Sequence, residues 1–200
     1  MQKTKLTKIL ASIGVILFFV LVVIPPFTRK WYWNHMSQYA PPVPMSKWEK
    51  FSSTEGKFSA WFPGAPIEKT QLITNAITTS EEHLFYVNPD IQDGYVITYC
   101  DSEIFDEASK SGKAHELLEK SASIVVSKAK GTILSEQTAK FENYPAREFE
   151  YKAGGKANYS AKVKYILVGK RVYSLTAVFL TGNPYSEDRA NFFNHFQLQE

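Results

Sequence analysis

An uncharged apolar run near the amino end constrains everything that follows it. The run extends from Ile9 to Ile24 and contains neither an acidic nor a basic residue. At a helical rise of about 1.5 Å per residue it spans about 24 Å, against the ~30 Å hydrocarbon core of a bilayer. Apolar neighbours on both sides lengthen it, and Pro25 and Pro26 end the helix. We therefore predict a membrane helix over about residues 9–27, which contacts the lipid bilayer.

The residues that flank this run are typical of a membrane interface. Lys8 can extend its amine to the headgroups along its own methylenes, and Trp31, Tyr32 and Trp33 supply amphipathic rings of the kind found at that level. Three lysines precede the run and two basic residues follow it. Since positive charge favours the cytoplasmic side, we expect the N-terminus in the cytoplasm and the bulk of the chain outside.

Two other interpretations of the run stay open. It resembles the apolar part of a cleaved signal peptide, which also follows a basic start, or it could be a buried core helix. The run ends in Val-Val-Ile-Pro-Pro-Phe, with no small-residue pair of the kind that marks a cleavage site. This favours an uncleaved anchor in the cell membrane.

Composition divides the chain into three parts. We assign residues 1–30 to a signal anchor, 31–46 to a proline-rich tether and 47–200 to one folded domain of ordinary size. All twenty acidic residues follow Ser46, whereas five of the 23 basic residues precede it, so eighteen basic residues face twenty acidic ones in the domain. A near-neutral domain with interspersed charges gives no reason to expect nucleic acid as a partner.

Apolar residues at every second position predict antiparallel strands through most of the domain. The predicted strands are 48–51, 57–62, 67–79, 82–87, 95–100, 132–139, 146–152, 157–168 and 171–179. The last two are long and joined by the tight turn Gly169-Lys170, so we place them at the centre of the sheet.

Two helices complete an α+β domain, an antiparallel β-sheet with helices packed on it. One long amphipathic helix is predicted within residues 105–130, strongest over 113–129, with its apolar stripe facing the core. A short C-terminal helix carries Phe192, Phe193 and Phe196 and should cover the sheet.

Four ordered stretches resemble bacterial domains with the PsbP-like fold. Phe58 to Pro66 is similar to their opening strand and turn, and Asn143 to Glu150 to their turn into a central strand. Val168 to Leu175 resembles the hairpin, and Asn191 to Leu198 the closing helix. The resemblance covers most of residues 47–198. It implies an antiparallel sheet with packed helices, and it implies no site residue, because a fold does not specify an activity.

No catalytic, metal or cofactor motif stands out. Cys100 is the single cysteine and sits in a strand pattern, so we interpret it as a packed thiol rather than a nucleophile paired with a distant histidine. Glu81, Glu82 and His83 could supply metal ligands, but neighbours on a strand point to opposite faces. Trp48 and Trp61 near the tether are candidates for a partner or lipid contact, with packing into the end of the sheet as the alternative.

The absence of a catalytic pattern favours a non-enzymatic function. We expect a membrane-anchored extracytoplasmic domain that binds an envelope protein or assists assembly, without a cofactor. The alternative is a small-molecule or lipid-binding domain with a pocket between the sheet and the long helix. An enzyme of an unrecognised type is a third hypothesis, and the oligomeric state stays open.

Overall fold

The computed structural model describes residues 43–74, 79–88, 93–155, 158–183 and 186–199. The predicted anchor and most of the tether, with Lys8, Trp31, Tyr32 and Trp33, lie outside these residues. Among the helices within the described ranges, none has both the length and the apolar character needed to cross a membrane.

A seven-stranded antiparallel sheet forms the centre of the domain, in the order β3-β4-β5-β9-β8-β7-β6. Its strands are β3 (Ile67–Thr74), β4 (Thr79–Val87), β5 (Gly94–Asp101), β6 (Thr132–Phe141), β7 (Tyr144–Lys152), β8 (Tyr159–Val168) and β9 (Arg171–Leu180). The hairpin of β8 and β9 lies in the middle, as predicted, because both strands are apolar on the two faces that neighbouring layers cover. Gly169 adopts φ 57°, the left-handed conformation that this two-residue turn requires.

A second, three-stranded sheet was not predicted. It consists of β1 (Glu49–Ser53), β2 (Phe58–Phe62) and β10 (Gln197–Leu198), in the order β1-β2-β10. The prediction of one sheet was therefore incomplete. The alternation of Phe58, Ala60 and Phe62 was interpreted correctly, since all three are fully buried.

Residues 105–130, in which one long helix was predicted, contain two helices. The second confirms the strongest part of the prediction, over 113–129, whereas the break before it was not predicted. Helix α1 (Glu103–Lys110) begins at Ser102, whose hydroxyl accepts a hydrogen bond from the Ile104 amide. Helix α2 (Ala114–Lys128) follows after Gly112, which has φ 70°. A residue with positive φ cannot continue a right-handed helix, so the chain turns there.

Helices α1 and α2 cover one face of the large sheet and the small sheet covers the other, which gives three layers. Between the large sheet and helices α1 and α2 lies one apolar core, to which β7 and β8 contribute Phe149, Tyr151 and Tyr165. The apolar stripe of α2 faces this core, as predicted. Between the large sheet and the small one lies a second core, which includes the aromatic residues of helix α3 (Ser186–Asn194).

Candidate functional site

A buried polar cluster lies on the helix-facing side of the large sheet. It consists of Glu82 on β4, Thr98 and Cys100 on β5, and Tyr165 on β8. The register places Glu82 opposite Cys100, and Ser174 of β9 lies between Thr98 and Tyr165. Alternation along each strand therefore brings residues that are distant in sequence to one face.

Glu82 is the most unusual member, because its carboxyl group is completely buried. Gln71 donates a hydrogen bond from Nε2 to Glu82 Oε2 at 2.7 Å, while Glu82 Oε1 has no hydrogen-bond partner in the described part of the chain. Burial raises the pKa of Glu82 to about 7, although hydrogen bonds from Gln71 and Thr98 lower it in part. The group can thus carry a proton near neutral pH.

Cys100 is a packed thiol, as the strand pattern indicated. The residue is 4% exposed, and burial raises the pKa of the thiol, with the charges of Glu82 and Asp101 adding to the effect. A thiol of this kind stays protonated and is a poor nucleophile. His83, on the neighbouring strand, points to the opposite face and cannot serve as its base.

A stack of three side chains lies on that opposite face. The His83 ring is parallel to the Tyr99 ring with centroids 4.4 Å apart, and the Arg171 guanidinium lies 4.3 Å from the Tyr99 centroid. Arg171 donates two hydrogen bonds to the Asp101 carboxylate, at 2.7 and 3.0 Å. It also donates to the backbone carbonyl of Glu55, at 2.8 Å. The stack therefore holds the turn between β1 and β2 against the large sheet.

The three residues at 81–83 do not form a metal site. Glu82 faces the helices, whereas His83 faces the small sheet. A hydrogen bond of 3.3 Å joins His83 Nδ1 and Thr70 Oγ1. Across the described ranges, no group of three or more histidine, cysteine, aspartate or glutamate residues could hold a metal ion.

The two tryptophans proposed as partner contacts have different surroundings. Trp48 is 4% exposed, and its ring packs edge-on against Tyr95. Its indole nitrogen donates to the Val43 carbonyl at 3.0 Å. This burial leaves almost no indole surface for a partner. Trp48 therefore packs into the end of the sheet, which was the alternative to a partner contact. Trp61 is half-buried beside His195, with ring centroids 5.7 Å apart, and its role stays a prediction.

A groove of about 160 Å³ lies between α1 and α2. Its floor is apolar, from Ile104, Ala108 and Leu117, and charged residues such as Lys113 and Glu116 line its rim. This differs from the expected pocket between the sheet and the long helix. The buried stripe of α2 packs directly onto the sheet, and the groove opens between the helices instead.

Exposed apolar side chains mark the two edges of the large sheet. Large hydrophobic residues of the described chain that are exposed are Met45, Ile67, Leu72, Ile133, Leu134 and Tyr144. Four of these six lie on β3 and β6, the outermost strands. Leu72 is the most exposed, at 73%. The sequence did not reveal this, because an apolar residue on an edge strand has the same alternating pattern as one in the core.

Comparison with solved structures agrees with this three-layer arrangement. The solution structure of cyanobacterial PsbP (CyanoP) from Synechocystis sp. PCC 6803 aligns with a TM-score of 0.50 at 8% identity, over 80% of this chain and 97% of that one. The chain has a PsbP-like fold. A crystal structure from Bacteroides thetaiotaomicron aligns with a TM-score of 0.43 at 11% identity, over 77% of this chain and 49% of that one.

Sequence comparisons add nothing to this assignment. No family model matches the chain, and no curated protein matches it. The PsbP-like fold expected from the four ordered stretches is therefore supported by structural similarity alone.

Proposed function

We propose that the chain is a membrane-anchored, extracytoplasmic, non-catalytic module that binds a protein of the cell envelope. The observation that carries this proposal is the open edge strand β3, on which Ile67 is 55% and Leu72 73% exposed. An edge strand presents unpaired backbone N–H and C=O groups that can pair with an extended segment of another protein. Exposed leucine and isoleucine side chains on the same strand add apolar surface that a partner can bury.

A binding role fits the chemistry of the buried polar groups. Cys100 is protonated and enclosed, and Glu82 is enclosed by the sheet and the helix layer rather than placed in an open cleft. Neither group has access to a substrate, so their burial supports a structural role within the domain.

The connection between the domain and its N-terminal segment supports an anchored module. The Val43 amide donates to Asp188 Oδ2 at 3.0 Å, and the Val43 carbonyl accepts from the Trp48 indole. Asp188 lies on α3 and is 7% exposed. The chain is thus attached to the domain from Val43 onward, and the proline-rich segment before it would act as the spacer to the anchor at residues 9–27.

The test is recovery of a partner by the full chain from envelope membranes, with and without a substitution on β3. We expect Leu72→Asp to reduce recovery of the specific partner roughly tenfold or more, because burying a leucine side chain contributes about 1.5–3 kcal/mol. Tyr144→Asp is the matched control, since Tyr144 is exposed but lies on β7. Equal recovery by wild type and Leu72→Asp, or no specific partner at all, would contradict the proposal.

The groove between α1 and α2 favours a second candidate function, binding of a small amphiphile. Its apolar floor suits an alkyl chain, and Lys113 and Lys120 at its rim suit a polar head. Native mass spectrometry of the full chain should then show added mass that Ala108→Trp removes by filling the floor. An equal added mass on wild type and on Ala108→Trp would exclude this candidate, as would no added mass on wild type.

A further inference from the structure

Strand β6 forms the other open edge of the large sheet. It is ten residues long and pairs with β7 along its whole length, apart from one irregularity between Ile133 and Ser135. Every residue from Thr132 to Thr138 is exposed. The side chain of Glu136 is only 25% exposed although the residue as a whole counts as exposed, so the open surface includes the backbone.

We propose that β6 pairs with β6 of a second copy of this chain, antiparallel and centred on Thr138. In this register Glu136 of each copy lies opposite Lys140 of the other, and the two Thr138 residues face each other. All three positions point to the helix-facing side of the sheet. Opposite charges and threonine pairs directly across an antiparallel ladder are stabilising, and a two-fold interface must be self-complementary in this way.

The neighbours of Glu136 leave one of its oxygens for this contact. Arg147 donates to Glu136 from Nε at 2.8 Å and lies within 2.5 Å through Nη2. Both contacts end on Oε1, so Oε2 can accept from Lys140 of the second copy. The Glu136–Lys140 ion pairs across the interface would therefore extend the Arg147–Glu136 ion pair within each copy.

The other open edge does not have this self-complementarity. On β3 the charged residues are Glu68 and Lys69, which are adjacent in sequence. Residues opposite each other in a two-fold antiparallel pair must point to the same face, whereas adjacent residues point to opposite faces. No two-fold register can therefore place Glu68 opposite Lys69, and we assign self-pairing to β6 alone.

The symmetry of the pairing is compatible with a single membrane. A two-fold axis normal to the sheet leaves the small sheets of both copies on the same side. Val43 packs against the core on that side, so both N-terminal segments leave from one face of the dimer. This step rests on the proposed anchor, while the pairing of β6 does not.

Cysteine cross-linking of the purified full chain in detergent micelles tests the pairing. Opposed residues of an antiparallel ladder have Cα atoms about 4.5–5.5 Å apart, within the range of about 4.4–6.8 Å that a disulfide needs. Thr138→Cys should therefore form a disulfide dimer with copper phenanthroline at least tenfold faster than Leu72→Cys, the control on the other edge. The natural Cys100 is buried and does not compete.

A second pair of variants tests the register. Gln137→Cys alone should cross-link slowly, because its copies would be diagonal neighbours about 7–8 Å apart, whereas a mixture of Gln137→Cys and Ala139→Cys should cross-link rapidly. Adding Lys140→Glu to Thr138→Cys should slow cross-linking several-fold by placing two carboxylates face to face. Equal rates for Thr138→Cys and Leu72→Cys would overturn the proposal, as would cross-linking in membranes to a different protein instead of a second copy. The purified sample contains no other protein. The comparison of Thr138→Cys with Leu72→Cys in that sample is therefore independent of the partner proposed at β3.

Discussion

The carboxyl group of Glu82 has no contact with solvent, and its Oε1 atom has no partner among the described residues. Burial raises its pKa to about 7, from an ordinary value of 4.5. Between about pH 4.5 and pH 7, the folded chain therefore holds a proton on Glu82 that the unfolded chain has already released. By linkage, the contribution of this group to stability is complete below pH 4.5 and is lost as the pH rises to about 7.

We predict that Glu82→Gln removes this pH dependence. A shift of about 2.5 pH units corresponds to about 3 kcal/mol, so the variant should gain about that much in free energy of unfolding relative to wild type between pH 4.5 and pH 8. Chemical denaturation followed by tryptophan fluorescence measures it. Glu81→Gln, at an exposed neighbouring position, is the control and should follow wild type. Parallel pH profiles for Glu82→Gln and wild type would show that Glu82 does not hold the proton.

At the scale of elements, the alternation of apolar residues predicted most strands and the buried face of α2, because each of these buries one side. The break between α1 and α2 was missed, since Phe105 and Ala108 continue the apolar stripe up to Gly112. Strand β10 has two residues, too few for a periodic pattern. The order of the strands depends on pairs such as β5 with β9, which are distant in sequence. For that reason the exposed edges of β3 and β6 could not be predicted.

The turn from α2 into β6 packs tightly against the chain after β7, and this contact gives a prediction about Gly154. A Cβ atom at Gly154 would lie 1.8 Å from the Lys130 carbonyl oxygen, whereas one at Gly112 would meet no atom within 4 Å. We expect Gly154→Ala to lower the free energy of unfolding by about 3 kcal/mol, because backbone atoms must move apart.

The matched variant Gly112→Ala should cost about 1 kcal/mol, from its positive φ alone. Urea denaturation of both variants gives the comparison. If the two substitutions cost the same, the α2–β6 turn is not as closely packed against residue 154 as the structure indicates.

At the scale of the whole molecule, the proposed binding surfaces lie apart from the cores. The two apolar cores lie on the two faces of the large sheet, and within the described residues no further strand pairs with its two edges. Val43 and Trp48 attach the N-terminal segment on the side of the small sheet. Anchoring, partner binding and self-pairing are thus proposed for separate parts of the molecule.

We propose that an anchor at residues 9–27 holds this domain outside the cytoplasm. Labelling of single introduced cysteines with a membrane-impermeant maleimide in intact spheroplasts tests it most directly, since Cys100 is buried. Lys170→Cys, in the exposed turn between β8 and β9 and away from both sheet edges, should be labelled without permeabilisation, and Gln2→Cys only after it. Labelling of Lys170→Cys that requires permeabilisation would contradict an extracytoplasmic domain.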